Sequence, residues 1–293
     1  MEESKPLPEN VSGVGSDSDQ PRSPVDVAAD DGYMTGWSLG ILVLALGLAL
    51  FLVALDMTII STAIPSITKE FHSIDSQGWY GSAFFLTDGA TQASWGKIYR
   101  FFPLKICFII SMAVFEAGSL ICALANWPIM LIVGRAIAGV GAAGVASGAY
   151  TILAVSAAPR IRGSLTAIFG MSYAFASFVG PLLGGVFTTE TTWRWCFWIN
   201  LPIGGLALAA ILFLFTPPVG PKPEPATWIS IFKQVDLTGV MLLTSTMICY
   251  LLAMEWGVLS SPGVTVMWWE RLLGSLSLVS SSAPGSGIWE TTL

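Results

Sequence analysis

The chain has 293 residues, of which 54% are hydrophobic and 11% charged, and its mean hydropathy is +0.71. An ordinary soluble domain has roughly a quarter charged residues, so this composition argues against a soluble enzyme and favours several membrane spans of about 20 residues each. The net charge of −6 arises within residues 1–36, which hold 8 acidic and 2 basic residues, and the balanced remainder gives no electrostatic support for a nucleic-acid partner.

The first 36 residues differ in character from the rest of the chain. They are rich in Ser, Pro, Asp and Glu and show no apolar periodicity. Such a segment cannot bury enough surface to offset its chain entropy. We therefore expect residues 1–36 to form a disordered tail.

Seven apolar runs follow, each long enough to cross the hydrocarbon core as a helix. They predict spans at 39–64, 79–99, 106–125, 128–153, 164–188, 196–216 and 235–254. The predicted organisation is a six-helix bundle at 37–216, a linker at 217–234, an extra transmembrane helix at 235–255 and an atypical segment at 256–293. The predicted fold class is an all-α membrane protein.

Lysine and arginine are unevenly distributed between the two sides of this arrangement. Only Lys69 and Arg194 lie in the links opposite the amino terminus. Nine basic residues lie on the side of the amino terminus: Lys5, Arg22, Lys97, Arg100, Lys105, Arg160, Arg162, Lys222 and Lys233. Because cytoplasmic loops are enriched in basic residues, the tail and the linker are predicted to be cytoplasmic.

Four charged residues, Asp56, Asp88, Glu116 and Arg135, fall inside predicted spans, where a charge costs at least about 2.5 kcal/mol at the bilayer centre. Asp56 lies roughly 12 Å, and Arg135 roughly 10 Å, from the same membrane face. These matched depths place the two side chains where they can meet and pair across helices one and four. Such a pair either couples proton binding to movement or statically orients the two helices.

Glu116 and Asp88 lie near the middle of their spans. For Glu116, a role as a proton carrier and a role as a neutral acid in helix packing are both open, whereas for Asp88 we favour packing. The chain has one histidine, His72, and four cysteines without a CxxC pair. No metal site, cofactor site or catalytic triad is therefore expected, and the chain is not expected to be an enzyme.

The fourth predicted helix carries small residues at helical spacing. Gly139 lies on the same face as Arg135, and Gly144 with Gly148 forms a GxxxG pattern on an adjacent face. Patterns of this kind let another helix backbone approach closely. These three glycines are therefore predicted to form helix-packing surfaces.

The fifth predicted helix combines a GxxxG pattern with a proline. Its residues are Gly180, Pro181, Gly184 and Gly185, and the proline removes one helix hydrogen bond. A thin, closely packing face of this kind suits either a sliding contact or a static tight crossing.

Four segments carry a family resemblance. They lie at 55–65 (LDMTIISTAIP), at 131–143 around Arg135, at 176–185 around Pro181, and at 193–205 (WRWCFWINLPIGG). They resemble motifs of the major facilitator superfamily, and most closely those of the fungal drug:proton antiporters of the fourteen-helix class. In that class the fourth-helix motif is associated with proton transfer, and the fifth-helix motif marks exporters.

Gly96, Lys97, Arg100 and Lys105 form a looser counterpart of the superfamily motif between helices two and three. Arg100 stands where that motif has an acidic residue. The gating salt bridge of the motif is therefore not expected here.

The resemblance implies the amino-terminal six-helix bundle of a major facilitator fold plus one extra helix, belonging to a proton-driven exporter of small amphipathic drugs or toxins. Asp56, Arg135 and Glu116 would serve proton coupling. The implied partners are a small-molecule substrate, protons and the lipid bilayer. The expected location is the plasma membrane, with the vacuolar membrane as the alternative.

Family members contain two bundles, so transport is expected to require the missing carboxyl-terminal bundle or another subunit. Beyond residue 257 the chain changes character, and it reads as out-of-frame or mis-spliced sequence. Two alternatives stay open: a non-transporting truncated fragment or gene-model artefact, and a nutrient-uptake carrier of the same superfamily.

Overall fold

The computed structural model describes residues 33–34, 36–215, 239, 241–242 and 244–250. Nearly all of the predicted tail, the predicted linker at 217–234 and the segment at 256–293 lie outside the described residues. The predicted extra helix at 235–255 is described in part, and its described residues are helical.

The described chain is built from helices, and its described residues include no strand. The helices are α1 (Gly36–Phe71), α2 (Gln77–Phe101), α3 (Leu104–Ala123), α4 (Pro128–Ser156), α5 (Pro159–Glu190), α6 (Trp195–Trp198) and α7 (Asn200–Leu214), with a short 3-10 turn at Ile74–Ser76 between α1 and α2. Only Ile199 separates α6 from α7, and together the two helices cover most of the predicted sixth span at 196–216.

Short connections join the long helices α1 to α5, and another joins α5 to the segment formed by α6 and α7. Pro128 and Pro159 begin α4 and α5, at the helix position where a missing N–H has no cost. His72 adopts φ 51° directly after α1, a left-handed conformation that ends the helix and redirects the chain. The bundle therefore has two ends, which we call the Phe71 end and the Gly36 end.

Within the described part of the chain, five helical segments are long and apolar enough to cross a bilayer: Gly36–Phe71, Leu104–Ala123, Pro128–Ser156, Pro159–Glu190 and Trp195–Phe213. The predicted second span forms α2, which has 25 residues but is less apolar than these five. Polar residues such as Gln92 and Lys97 lower its hydropathy. Several of its apolar side chains, including Phe84 and Trp95, are buried in the bundle.

Small residues bring α4 close to its neighbours. A Cβ atom at Gly139 would collide with the Phe84 carbonyl and Thr87 of α2, and one at Gly144 would lie 2.7 Å from the Trp95 ring. At Gly148 the neighbouring side chain is Tyr99 of α2. The three glycines predicted to pack helices therefore all lie at tight contacts.

The contact between α1 and α5 is equally close. Gly180 and Gly184 face α1, where a Cβ atom would collide with Thr58 and Thr62 respectively. A Cβ atom at Gly185 would have no other atom within 4 Å, and Pro181 is exposed. The motif therefore divides into two residues that pack on α1 and two that do not.

The opposite face of α5 is apolar and exposed within the described part of the chain. Met171, Phe175, Phe178 and Leu182 are each at least 60% exposed. A hydrophobic face of this size on a membrane helix contacts either lipid or further protein.

Candidate functional site

Asp56 of α1 and Arg135 of α4 form an ion pair in the interior of the bundle. Arg135 Nη1 donates to Asp56 Oδ2, and both residues are fully buried. The structure thus brings together the two side chains whose depths match in the sequence. A buried charge is tolerated only with a partner, so each residue depends on the other.

Three further groups, from α2 and α6, contact the guanidinium group of Arg135. Its Nε donates to the Tyr80 carbonyl of α2 at 3.1 Å. Its Cζ atom lies 4.4 Å from the Phe84 ring centroid and 6.0 Å from that of Phe197 in α6. Stacking on aromatic faces stabilises a cation electrostatically. Nη2 is buried and has no hydrogen-bond partner among the described residues.

The second oxygen of Asp56 is bound by Asn200, the first residue of α7. Asn200 Nδ2 donates to Asp56 Oδ1 at 3.1 Å and to Ser119 Oγ of α3 at 3.2 Å. All of these residues are fully buried. We call Asp56, Arg135, Asn200 and Ser119 the polar cluster; it joins four helices.

The sequence alone did not identify Asn200, Ser119 or Tyr80 as site residues. Asn200 carried a usable signal, because it is a lone amide inside the apolar run around WINLP. Ser119 and the Tyr80 backbone carbonyl carried none, since serine is common in membrane helices and a carbonyl is present at every residue.

Glu116 lies one helical turn from Ser119 on α3. Its Oε1 rests against Gly204 of α7, and a Cβ atom at that glycine would collide with it. Both carboxyl oxygens are buried and have no hydrogen-bond partner among the described residues. Glu116 interacts electrostatically with Asp56 but forms no hydrogen bond to the polar cluster.

Asp88 lies outside the polar cluster. It is half-buried on α2, and it interacts electrostatically with Tyr173 of α5. The structure therefore separates it from the pair formed by Asp56 and Arg135.

The residues of the loose loop motif do not form one cluster. A Cβ atom at Gly96 would have no other atom within 4 Å, Lys97 is half-buried, and Arg100 is exposed with its Cζ 5.9 Å from the Phe101 ring centroid. Lys105 instead donates to the Phe215 carbonyl at 2.8 Å. It thereby satisfies a carbonyl group at the carboxyl end of α7, a common use of lysine.

A second polar network lies at the Phe71 end of the bundle. Glu70 accepts a hydrogen bond from Trp193 Nε1 at 2.6 Å and pairs with Arg194 at 2.9 Å. Arg194 also donates to the Ala125 carbonyl at 2.9 Å. This network ties the end of α1 to the connections that precede α4 and α6.

The chemistry available at the polar cluster is acid–base. Asp56 can accept a proton, whereas Arg135 keeps its charge at all physiological pH values. Protonation would therefore remove the partner of a buried cation. The described residues contain no group of three or more His, Cys, Asp or Glu side chains that would hold a metal ion.

The family model and the sequence relatives that match this chain indicate the same protein family. The sequence profile of the Major Facilitator Superfamily matches residues 46–289. The MFS-type transporter grgE of Penicillium sp is 46% identical over 262 residues, which are 89% of this chain and 46% of that protein. Efflux pump notK of Aspergillus sp. (strain MF297-2) is 40% identical and covers 87% of this chain and 44% of its own length.

The probable efflux pump gsfJ of Penicillium aethiopicum is 47% identical over 78% of this chain and 41% of its own length. The chain therefore spans less than half the length of these relatives. Among solved structures, a bacterial homologue of the human lysosomal transporter Spinster, in an inward-facing and unoccupied conformation, matches with a TM-score of 0.52 and 18% identity, covering 75% of this chain and 52% of that one.

Proposed function

The chain belongs to the major facilitator superfamily, a family of membrane transporters, and from that premise we propose that it is the amino-terminal part of a proton-coupled exporter of small amphipathic molecules. The observation that carries the proposal is the fully buried pair of Asp56 and Arg135 between α1 and α4. The efflux-pump names among the relatives support export as the direction of transport.

Proton coupling follows from the asymmetry of this pair. When Asp56 takes up a proton, Arg135 remains charged and loses its counter-ion. Breaking a buried pair in this way costs about 3–5 kcal/mol. An energy of that size shifts a two-state equilibrium by about a hundredfold or more. The proton thus disfavours the arrangement of α1 and α4 seen here and favours the alternative facing state.

Glu116 enters the proposal as a second proton-binding group. Its carboxyl oxygens have no donor or cation beside them among the described residues, and an unpaired buried carboxylate would be costly. We therefore assign Glu116 the neutral, proton-bearing form in this state. Asp88, outside the polar cluster, is assigned a packing role.

The interface of Gly180 and Gly184 with α1 is proposed as the contact that allows α5 to move. At these two positions, glycines of α5 face threonine side chains of α1. Pro181 and Gly185 lie off this contact, beside the exposed face of α5.

Export further requires a second bundle, because alternating access rocks one bundle against another around a central site. We propose that this bundle is contributed by further sequence such as the relatives have, or by another subunit, and that it covers the exposed face of α5. The distribution of basic residues supports an orientation with the amino terminus in the cytoplasm. The proposed location is the plasma membrane, with the vacuolar membrane as the alternative.

The test is transport of rhodamine 6G into proteoliposomes under an imposed pH gradient. The chain is reconstituted alone, and joined to the part of the Penicillium sp relative that follows the matched residues. We expect dye transport that a protonophore abolishes, at least in the joined protein, and its loss in Asp56→Asn. The matched control, Asp88→Asn, should retain transport.

Two results would overturn the proposal. One is dye transport in Asp56→Asn that equals the unsubstituted protein and still follows the pH gradient. The other is an absence of gradient-driven transport from both the chain and the joined protein when each is folded and correctly inserted.

A further inference from the structure

Asn200 makes contacts that its position in the helix does not require. Asparagine at the N-cap, the residue just before the first helical one, usually accepts a hydrogen bond from a backbone N–H with its side-chain oxygen, but in α7 that position is Ile199. At the start of α7 no such cap exists, and Asn200 Oδ1 has no partner among the described residues. The amide is instead directed across the bundle, so helix capping does not explain this residue.

The hydrogen bonds to Asp56 show what Asn200 does. Arg135 binds Asp56 Oδ2, and Asn200 binds Oδ1. The two donors lie on α4 and α7, so together they set the orientation of the carboxylate plane. Both N–H groups of Asn200 are used, since the second is donated to Ser119. The orientation of Asp56 is thereby linked to α3 as well.

The unpartnered Oδ1 atom adds a second capacity. A protonated Asp56 carries an O–H group and needs an acceptor. An amide offers one by rotating about its terminal bond, which exchanges Nδ2 and Oδ1. Among the variants that fit this space, valine offers neither donor nor acceptor, and threonine offers one hydroxyl that can act as either.

We propose that Asn200 is a positioning residue for Asp56 in both protonation states: its amide N–H donates to the carboxylate, and after rotation its Oδ1 accepts from the carboxylic acid. This inference rests on the proposed function, because it takes Asp56 as the group that binds the coupled proton. Asn200 itself neither gains nor loses a proton.

Several titratable groups surround Asp56 besides Asn200. Arg135 lies on α4, Glu116 and Cys122 on α3, and Cys196 on α6, and each of them interacts electrostatically with Asp56 or is bonded to it. The described part of α7 contributes no titratable side chain. Replacing Asn200 therefore changes hydrogen bonding at Asp56 and leaves every neighbouring charge in place.

The test is infrared difference spectroscopy of the purified chain during a pH titration. It follows the C=O stretch of protonated carboxyl groups and needs no transport. The Glu116→Gln background removes the other carboxyl group of the region, and Asp56→Asn identifies the band of Asp56. Asn200→Val and Asn200→Thr form the matched pair, since their side chains have the same shape and differ in the hydroxyl group.

In Asn200→Val both forms of Asp56 lose a hydrogen bond, but the charge-assisted bond to the carboxylate is about twice as strong as the neutral bond to the carboxylic acid. The Asp56 band should therefore be half-developed at a pH about one unit higher than in the background protein. Asn200→Thr should move it by about half as much. Ser119→Ala, which removes the other partner of the amide, should move it less than Asn200→Val. Leu206→Ala, at an exposed position of α7, should leave it unchanged.

A titration of Asp56 that is the same in the background protein, Asn200→Val and Asn200→Thr would overturn the inference. If Asn200→Val does not fold, an unchanged titration of Asp56 in Asn200→Thr would by itself overturn the inference. Failure of the proposed function is a separate result: transport that ignores Asp56→Asn refutes proton coupling by Asp56, whatever the infrared titration shows.

Discussion

The pair of Asp56 and Arg135 predicts an unequal response to loss of its two members. Both side chains are fully buried, so solvent does not screen the charge that remains. In Asp56→Asn the remaining group is a guanidinium, which cannot lose its proton. Its other contacts, the Tyr80 carbonyl and the Phe84 ring, do not neutralise it. The expected cost is about 3–5 kcal/mol of unfolding free energy.

In Arg135→Gln the remaining group is the Asp56 carboxyl, which, unlike a guanidinium, can lose its charge. It keeps the hydrogen bond from Asn200 and can be neutralised by a proton. We expect a smaller cost of about 1–3 kcal/mol. The double variant leaves neither charge and should be more stable than the sum of the single losses predicts, with a coupling energy of about 1–3 kcal/mol.

The assay is thermal unfolding of the purified chain in detergent at several pH values. With about 2–4 °C per kcal/mol, Asp56→Asn should lower Tm by roughly 6 °C or more. Lowering the pH should restore Tm in Arg135→Gln, because the proton neutralises Asp56, and should not restore it in Asp56→Asn. Asp88→Asn serves as the control for an in-span acid outside the polar cluster.

The reasoning would be refuted by equal Tm losses in the two single variants at every pH, together with additive losses in the double variant. That result would mean that the two side chains do not depend on each other in the folded protein. The static alternative, a pair that only orients helices, predicts the same stability cycle but leaves gradient-driven transport intact in Asp56→Asn.

Three further predictions concern single contacts. Glu116→Gln should change the unfolding free energy by less than about 0.5 kcal/mol near neutral pH, because it replaces a neutral carboxyl with a neutral amide; a loss of several kcal/mol in thermal unfolding would contradict this. Gly184→Ala should lower the unfolding free energy by about 1–3 kcal/mol, because its Cβ would collide with α1. Gly185→Ala, where the Cβ meets no other atom, should leave the unfolding free energy unchanged or raise it by up to about 1 kcal/mol. Equal effects of the two variants on Tm would show that Gly184 does not pack on α1. Glu70→Gln should lower the unfolding free energy by no more than about 1 kcal/mol, because the pair with Arg194 is partly exposed. The same variant should speed proteolytic cleavage of the connections at the Phe71 end, whereas the control Glu190→Gln, at an exposed position, should not.

The positions of the helices were largely predictable, and their ends were not. Hydropathy predicted a first span at 39–64, whereas α1 runs from Gly36 to Phe71. The predicted span stops where the apolar residues stop, but helical hydrogen bonding continues through polar residues such as Ser66, Lys69 and Glu70. A fully helical span needs about 20 residues, and α1, with 36 residues, is longer than the hydrocarbon core requires.

The roles of the glycines were predictable only in part. The GxxxG patterns indicated close packing, and Gly144, Gly148, Gly180 and Gly184 do lie at tight contacts. The patterns do not say which helix is the neighbour. They also do not separate Gly184, packed on α1, from Gly185, which faces no neighbouring atom, because that distinction depends on the rotation of α5 about its axis.

By itself, the sequence determined that the chain is an all-α membrane protein of this superfamily and that Asp56 and Arg135 lie at matched depth. Apolar runs, basic residues and charges inside predicted spans depend only on residue type and position along the chain. The sequence alone therefore shows them. The tertiary structure alone decided that Asn200 and Ser119 complete the polar cluster, that Glu116 rests on Gly204 without a hydrogen bond, and that Lys105 reaches the end of α7. Those contacts depend on how four helices are rotated and packed against one another. The sequence pattern does not predict the rotation of each helix about its own axis.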